Sequence, residues 1–241
     1  MTGRSIESSP QLYARIGGGL YLMLIGLGIF GQVVKEKVIV SGDAAATAAN
    51  LTSMETLWRF GIAFEFLSLI CVTALAMIYF VLLKPVNKEL NLLATFLRMI
   101  GIAVETVAAL NLATALFPLG NAAYLKAFTP EQLYGMATLA IKSHSYGYTL
   151  ALLFFGFTFL FHGRLIFKSG FLPKILGLMI QIGGACYLTN SFIFFLAPSR
   201  SGMLFPWILL PCFVAELSLA LWLLFKGVNV QRWKERASLG V

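Results

Sequence analysis

Six apolar stretches, each long enough to cross a bilayer, take up most of this 241-residue chain. Only five side chains that carry or can take up charge lie well inside them: Glu65, Arg98, Glu105, His162 and Glu216. A hydrocarbon core demands about 20 apolar residues in helical form, because a helix satisfies its own backbone there. Closed barrels show ten-residue alternation instead, and this chain does not. The spans read as about 16–34, 58–83, 90–117, 146–167, 175–197 and 203–225. The expected fold is all-α: a polytopic membrane helix bundle of six transmembrane helices, forming a single transmembrane domain over residues 1–241. Composition agrees, with 59% hydrophobic and 12% charged residues against about 45–50% and about 25% in soluble domains.

Basic residues set the orientation. One side of the span map carries Arg4, Arg15, Lys84, Lys88, Arg164, Lys168, Lys174, Lys226, Arg232, Lys234 and Arg236, eleven in all. The other carries Lys35, Lys37, Arg59, Lys126, Lys142 and Arg200, which is six. Cytoplasmic loops are the richer in lysine and arginine, so both termini are expected in the cytoplasm. The net charge of +8 is then a basic rim facing anionic lipid, and no nucleic-acid partner is implied. The tail Val228–Arg236, with Trp233 among three basic residues, reads as an interfacial anchor. The first apolar run exceeds a secretory h-region and ends at Lys35-Glu36-Lys37 with no cleavage site, so it is expected to remain as a signal anchor. Cys71, Cys186 and Cys212 all fall within spans and read as small packing residues, with no disulfide expected.

Two outer segments carry helix-start signals. Ser41 or Asp43 can cap an alanine-rich helix over residues 44–50. Thr129-Pro130-Glu131-Gln132 combines proline at the first helical position with a Thr-x-x-Gln capping box. The helix it starts, Pro130–Lys142, is expected to lie on the outer membrane surface. These segments are either ordered lids or plain connectors.

Several runs together resemble a family. They are Ser41-Gly-Asp-Ala-Ala-Ala-Thr-Ala-Ala-Asn50, Leu83-Lys-Pro-Val-Asn-Lys88, Tyr146-Gly-Tyr148, Ser169-Gly-Phe-Leu-Pro173 and the stretch from Glu216 to Asn229. They resemble the bacterial membrane family known as domain of unknown function 4386, over nearly the whole chain. The resemblance implies a six-helix protein of the bacterial cytoplasmic (inner) membrane. It brings no activity, so no functional residue carries over from it.

The charges within the spans must therefore be read physically. An ionised side chain at mid-bilayer costs about 2.5–3.5 kcal/mol on insertion scales, so it faces the bundle interior and finds a partner. In the third span, Ala94, Gly101, Ala108 and Ala115 recur every seven residues, with Arg98 and Glu105 four residues after the first two. A small-residue stripe marks close helix packing, which turns Arg98 and Glu105 into the bundle. By depth, Arg98 is expected to pair with Glu216. Glu65 and Glu105 form a second cluster, with Asn190 as hydrogen-bonding or ligand-binding group. No lysine or arginine is expected inside the bundle at that level, with Arg59 only at the rim. Desolvation and like charge would then keep one of the two acids protonated. His144 and His162 lie about 27 Å apart along one helix, which rules out a shared metal, and both read as interfacial.

Absences narrow the chemistry. Asp43 is the chain's one aspartate, so aspartate-rich Mg²⁺–diphosphate motifs are missing. The sequence holds no G-x-S-x-G, Walker, H-E-x-x-H or C-x-x-C motif. No cofactor or metal is expected. Three function classes remain. One is a structural or regulatory membrane protein that uses its charges for helix assembly, with a lipid-like or small apolar molecule as candidate ligand. Another is a small proton-linked transporter working through Glu65 and Glu105. The third is an acid-catalysed enzyme. Here the chain resembles integral membrane terpene cyclases in length and in placing acids in the second span (Glu65) and the last (Glu216), although those enzymes are read with seven spans. Glu65, Glu105 and Glu216 are the candidate catalytic residues.

Overall fold

A computed structural model describes residues 9–204 and 206–239. Arg4, one of the eleven basic residues above, lies outside them. The described residues form nine α-helices and three short 3-10 turns, with no strand. The helices are α1 (Pro10–Val38), α2 (Ala44–Ser53), α3 (Glu55–Leu83), α4 (Lys88–Thr114), α5 (Pro130–Ser169), α6 (Lys174–Leu196), α7 (Pro198–Leu204), α8 (Leu210–Phe225) and α9 (Val230–Ser238). Six of the helices, α1, α3, α4, α5, α6 and α8, are long and apolar enough to cross a membrane, α4 and α8 together with their flanking 3-10 turns. Large apolar side chains face outward along them, among them Phe60, Ile70, Val107 and Leu139. Exposed apolar surface on this scale suits lipid rather than water. The chain is a multi-pass membrane protein of all-α class.

Helix α8 begins later than expected, while α1, α3 and α5 overrun the expected spans, α5 most of all. Its 40 residues rise about 60 Å, twice the roughly 30 Å of a hydrocarbon core. The segment Pro130–Lys142 is therefore not a separate surface helix but the first turns of the fourth span. No proline interrupts it, and its buried Ala137 and Ile141 hold it in a core. Its start is as expected: Thr129 N donates to Gln132 Oε1 at 2.9 Å, and Gln132 N donates to Thr129 Oγ1 at 3.4 Å.

The chain divides into two compact units. The first comprises residues 1–24, 71–102 and 149–241. Its α5 and α6 meet glycine to glycine, Gly156 against Gly184 and Gly163 against Gly177. On α4, the expected stripe packs on α5: Ala94 is fully buried, its carbonyl accepting from Thr158 Oγ1, and Gly101 sits under the Phe155 ring. Gly170 (φ +76°) and Gly227 (φ +69°) end α5 and α8 in the left-handed conformation that glycine adopts without penalty. Past Gly227 the chain is tied down: Val228 N donates to Gln11 Oε1, Asn229 N to Phe171 O and Arg232 Nη1 to Gly170 O. Trp233 is 4% exposed, and its indole N–H donates to Leu82 O at 2.9 Å. It is thus a buried plug rather than a lipid anchor, because the carbonyls left free at the end of α3 need a donor.

The second unit comprises residues 25–70 and 103–148. Val34, Val38, Leu51, Trp58, Ile62, Leu112, Ala115, Ala137 and Ile141 form its core. The Trp58 indole donates to Leu112 O at 2.9 Å. Gly147 packs against Ala108, and Gly61 against Val34. The outer connection is ordered. Asp43 caps α2 through Ala46 N at 2.8 Å, and Thr47 Oγ1 bonds both backbone groups of Val40.

Candidate functional site

In the first unit, eight side chains lie along two runs of contacts. His162 lies against the Tyr79 ring, centroids 5.1 Å apart, and Tyr79 meets Tyr21 edge-on at 6.3 Å. In the second run, Tyr187 Oη donates to Glu216 Oε1 at 2.5 Å. Tyr187 packs on Phe159 at 5.3 Å. Arg98 then lies over two rings, 4.8 Å from Phe155 and 5.8 Å from Phe159. Cation–π stacking is worth about 2 kcal/mol or more when desolvated, enough to hold a guanidinium inside an apolar span.

The charges here are arranged at a distance. Glu216, half-buried, takes a hydrogen bond from the Tyr187 phenol, and Arg98 acts on it electrostatically. The two ion pairs within 4 Å among the described residues lie elsewhere, at Lys35–Glu65 and Arg59–Glu55. Arg98 is 7% exposed, packed against the two rings. Tyr79 Oη and His162 Nε2 are buried without a partner. His162 is 5% exposed and His144 3%. Tyrosine rings lie against both, Tyr79 on His162 and Tyr148 on His144.

The second unit holds Glu65 and Glu105, while Asn190 belongs to the first. Glu105 and Asn190 are half-buried. Glu65 has a cation after all. Lys35 Nζ lies 3.7 Å from Glu65 Oε2, with side-chain exposures of 22% and 13%. The sequence reading ended the first span at Val34 and set Lys35 outside. Helix α1 continues to Val38, and that extra turn carries Lys35 to the carboxylate. Gly31, one turn earlier, leaves Glu65 its room. Lys35 also lies over Tyr148 at 5.7 Å, and Tyr148 stacks on His144 at 6.1 Å.

The same unit contains a cavity of about 500 Å³. Its walls are mainly apolar, including Ile62, Phe66, Ala113, Leu116 and Phe117, with Arg59 and Asn121 as polar groups. Glu65, Glu105 and Glu216 do not line it. Among the described residues no cluster of three histidine, cysteine or acidic side chains is placed to hold a metal ion, and the three cysteines are free.

Sequence reading missed Lys35 and the three tyrosines. Tyr21, Tyr79 and Tyr187 stand well inside apolar spans, where a hydroxyl needs a partner; that was the available signal.

Comparison with known proteins gives kinship without an activity. The chain is 30% identical over 163 residues to an uncharacterized protein of Archaeoglobus fulgidus, covering 67% of this chain and 80% of that one. No solved structure matches. The model of the family described as domain of unknown function 4386 (DUF4386) matches residues 16–227. Nearly the whole bundle lies within that match, so the chain belongs to this family.

Proposed function

We propose that this chain binds a lipid-like, largely apolar ligand in the cytoplasmic (inner) membrane of a bacterium, with both termini in the cytoplasm. The observation that carries this reading is the cavity of about 500 Å³ in the second unit. Small-molecule sites are mostly apolar clefts of about 300–1,000 Å³ with a few polar groups that fix orientation. Here the ligand's tail lies along Ile62, Phe66 and Leu116, and its head meets Arg59 and Asn121. Arg59 already bonds Glu55 at 2.7 Å, so its charge is largely neutralised, and the site favours a polar uncharged or zwitterionic head over a lone anion. With no acid in the lining, the reading is one of binding without a chemical step.

Ala113→Phe should fill the cavity. Native mass spectrometry of the purified chain should show a lipid-like adduct on the wild type that this variant lacks, at an unchanged melting temperature. An equal adduct on the filled variant, or none on either, refutes the reading.

A further inference from the structure

The cavity of the second unit is polar at one end of the wall that α3 supplies. Arg59 comes first along the helix, and Ile62, Ala63 and Phe66 follow it. Phe66 lies two turns on, about 10 Å of rise. Glu55 stands one turn the other way, at the start of α3. The side chains of Arg59 and Glu55 are 64% and 47% exposed, and ion pairs so exposed hold weakly. Their pairing also uses only part of each group. Arg59 Nε and Nη2 both lie 2.7 Å from the same oxygen, Glu55 Oε1. Arg59 Nη1 and Glu55 Oε2 take no part in it. A cationic donor and an anionic acceptor thus stand side by side at the polar end of an apolar cleft.

We infer, resting on the reading of this cavity as a lipid site, that its ligand is a phospholipid with a zwitterionic phosphoethanolamine head. The phosphate takes the Nη1 edge of Arg59, since a guanidinium fork matches two phosphate oxygens at once. The ammonium takes Glu55 Oε2 through a charge-assisted hydrogen bond. Such a head carries both charges in one molecule, so it extends the Arg59–Glu55 pair into an alternating cluster and adds no net charge. A phosphoglycerol head brings its phosphate to Arg59 with no cation for Glu55, and its added negative charge lies beside that carboxylate. A phosphocholine head balances its charge but has no N–H to donate. One acyl chain lies along Ile62, Phe66 and Leu116, and the other stays with the bilayer.

The test titrates the full chain in detergent with phosphatidylethanolamine, phosphatidylcholine and phosphatidylglycerol of the same acyl chains, each alone, and counts bound lipid by native mass spectrometry. Phosphatidylethanolamine should bind about tenfold more tightly than either of the others, the worth of one charge-assisted hydrogen bond. Glu55→Gln should abolish its lead over phosphatidylglycerol, and Arg59→Met should weaken it about tenfold. Both positions are exposed, so both variants should melt like the wild type. Glycerophosphoethanolamine, the same head without chains, should not compete. Saturable binding that Ala113→Phe abolishes, but with no preference for the ethanolamine head, overturns this inference and leaves the cavity reading standing. So does a preference that survives Glu55→Gln, binding that Arg59→Met leaves intact, or displacement by the chainless head. Binding of none of the three lipids, or binding that Ala113→Phe leaves unchanged, removes the cavity reading and this inference with it.

Discussion

Gly163 on α5 and Gly177 on α6 face each other so closely that a methyl group on either would lie 2.6 Å from the other's carbonyl oxygen. Seven residues along each helix, Gly156 and Gly184 repeat the arrangement, with 3.0 and 2.7 Å to the opposing carbonyl. In lipid no hydrophobic force draws helices together, so close backbone approach supplies the attraction. The obstructing atoms are backbone, which cannot rotate away. Gly177→Ala should therefore destabilise the chain by about 1–3 kcal/mol, the usual cost of overpacking, and Gly163→Ala by a similar amount. Gly26→Ala, with open space around its position, is the control. Melting temperatures in detergent decide; equal stability for all three variants would show that the crossing is looser than described.

Glu65 and Lys35 give a prediction opposite to the one the sequence suggests. A protonated Glu65 without a cation would tolerate glutamine with little effect. With Lys35 at 3.7 Å and both side chains mostly buried, Glu65→Gln strands an ammonium. Exposed pairs contribute about 0–1 kcal/mol, whereas breaking a fully buried pair costs about 3–5 kcal/mol. The exposures of 13% and 22% place this pair between, at about 1–3 kcal/mol. Adding Lys35→Met to Glu65→Gln should recover much of the loss. A Glu65→Gln variant as stable as wild type would restore the view of a neutral acid.

How much was legible in the sequence follows from the range of each interaction. Helix existence was legible because twenty-residue apolar runs allow one solution in lipid. The α4 stripe was legible because its period fixes a face, and Ala94, Gly101 and Ala108 do lie at helix contacts. Caps at Asp43 and Thr129 were legible because they act over three residues. Lys35 was lost because helix ends are set by local backbone satisfaction and not by hydropathy, and one turn decides which charge meets Glu65. Trp233 was misread because its partner, Leu82 O, lies 151 residues away in sequence. The tyrosines around Glu216 come from α1, α3 and α6, and no spacing rule links helices that remote.

Topology offers a direct check. Gln11 and Val228 are hydrogen-bonded, so the start of α1 and the segment before α9 share one end of the first unit. Leu82 and Phe171 join them there through Trp233 and Asn229. The basic bias predicts that this end faces the cytoplasm. Reporter fusions after residues 87, 170 and 241 should all read cytoplasmic, and an extracytoplasmic signal at any one breaks the map.

Arg98 and Glu216 decide whether the aromatic cluster of the first unit works as one electrostatic unit. Neither has a partner of opposite charge within 4 Å among the described residues, yet each lies in the other's field. Coulomb energy falls only inversely with distance, and low dielectric magnifies it, so separated charges can still be coupled. Glu216→Gln keeps an acceptor for Tyr187 but leaves Arg98 uncompensated, with stacking on Phe155 and Phe159 as its remaining support. Arg98→Met leaves Glu216 with the Tyr187 phenol. That asymmetry sets the order: Glu216→Gln should cost about 1–3 kcal/mol, below the roughly 3–5 kcal/mol for breaking a buried pair in contact, and Arg98→Met less, because the Tyr187 phenol stabilises a carboxylate. The double variant should be more stable than the sum of the single losses requires, by at least about 1 kcal/mol, as expected of coupled neighbours. Thermal unfolding of the four proteins in one detergent gives the coupling. Losses that simply add would separate the two residues energetically and leave Arg98 held by its aromatic rings alone.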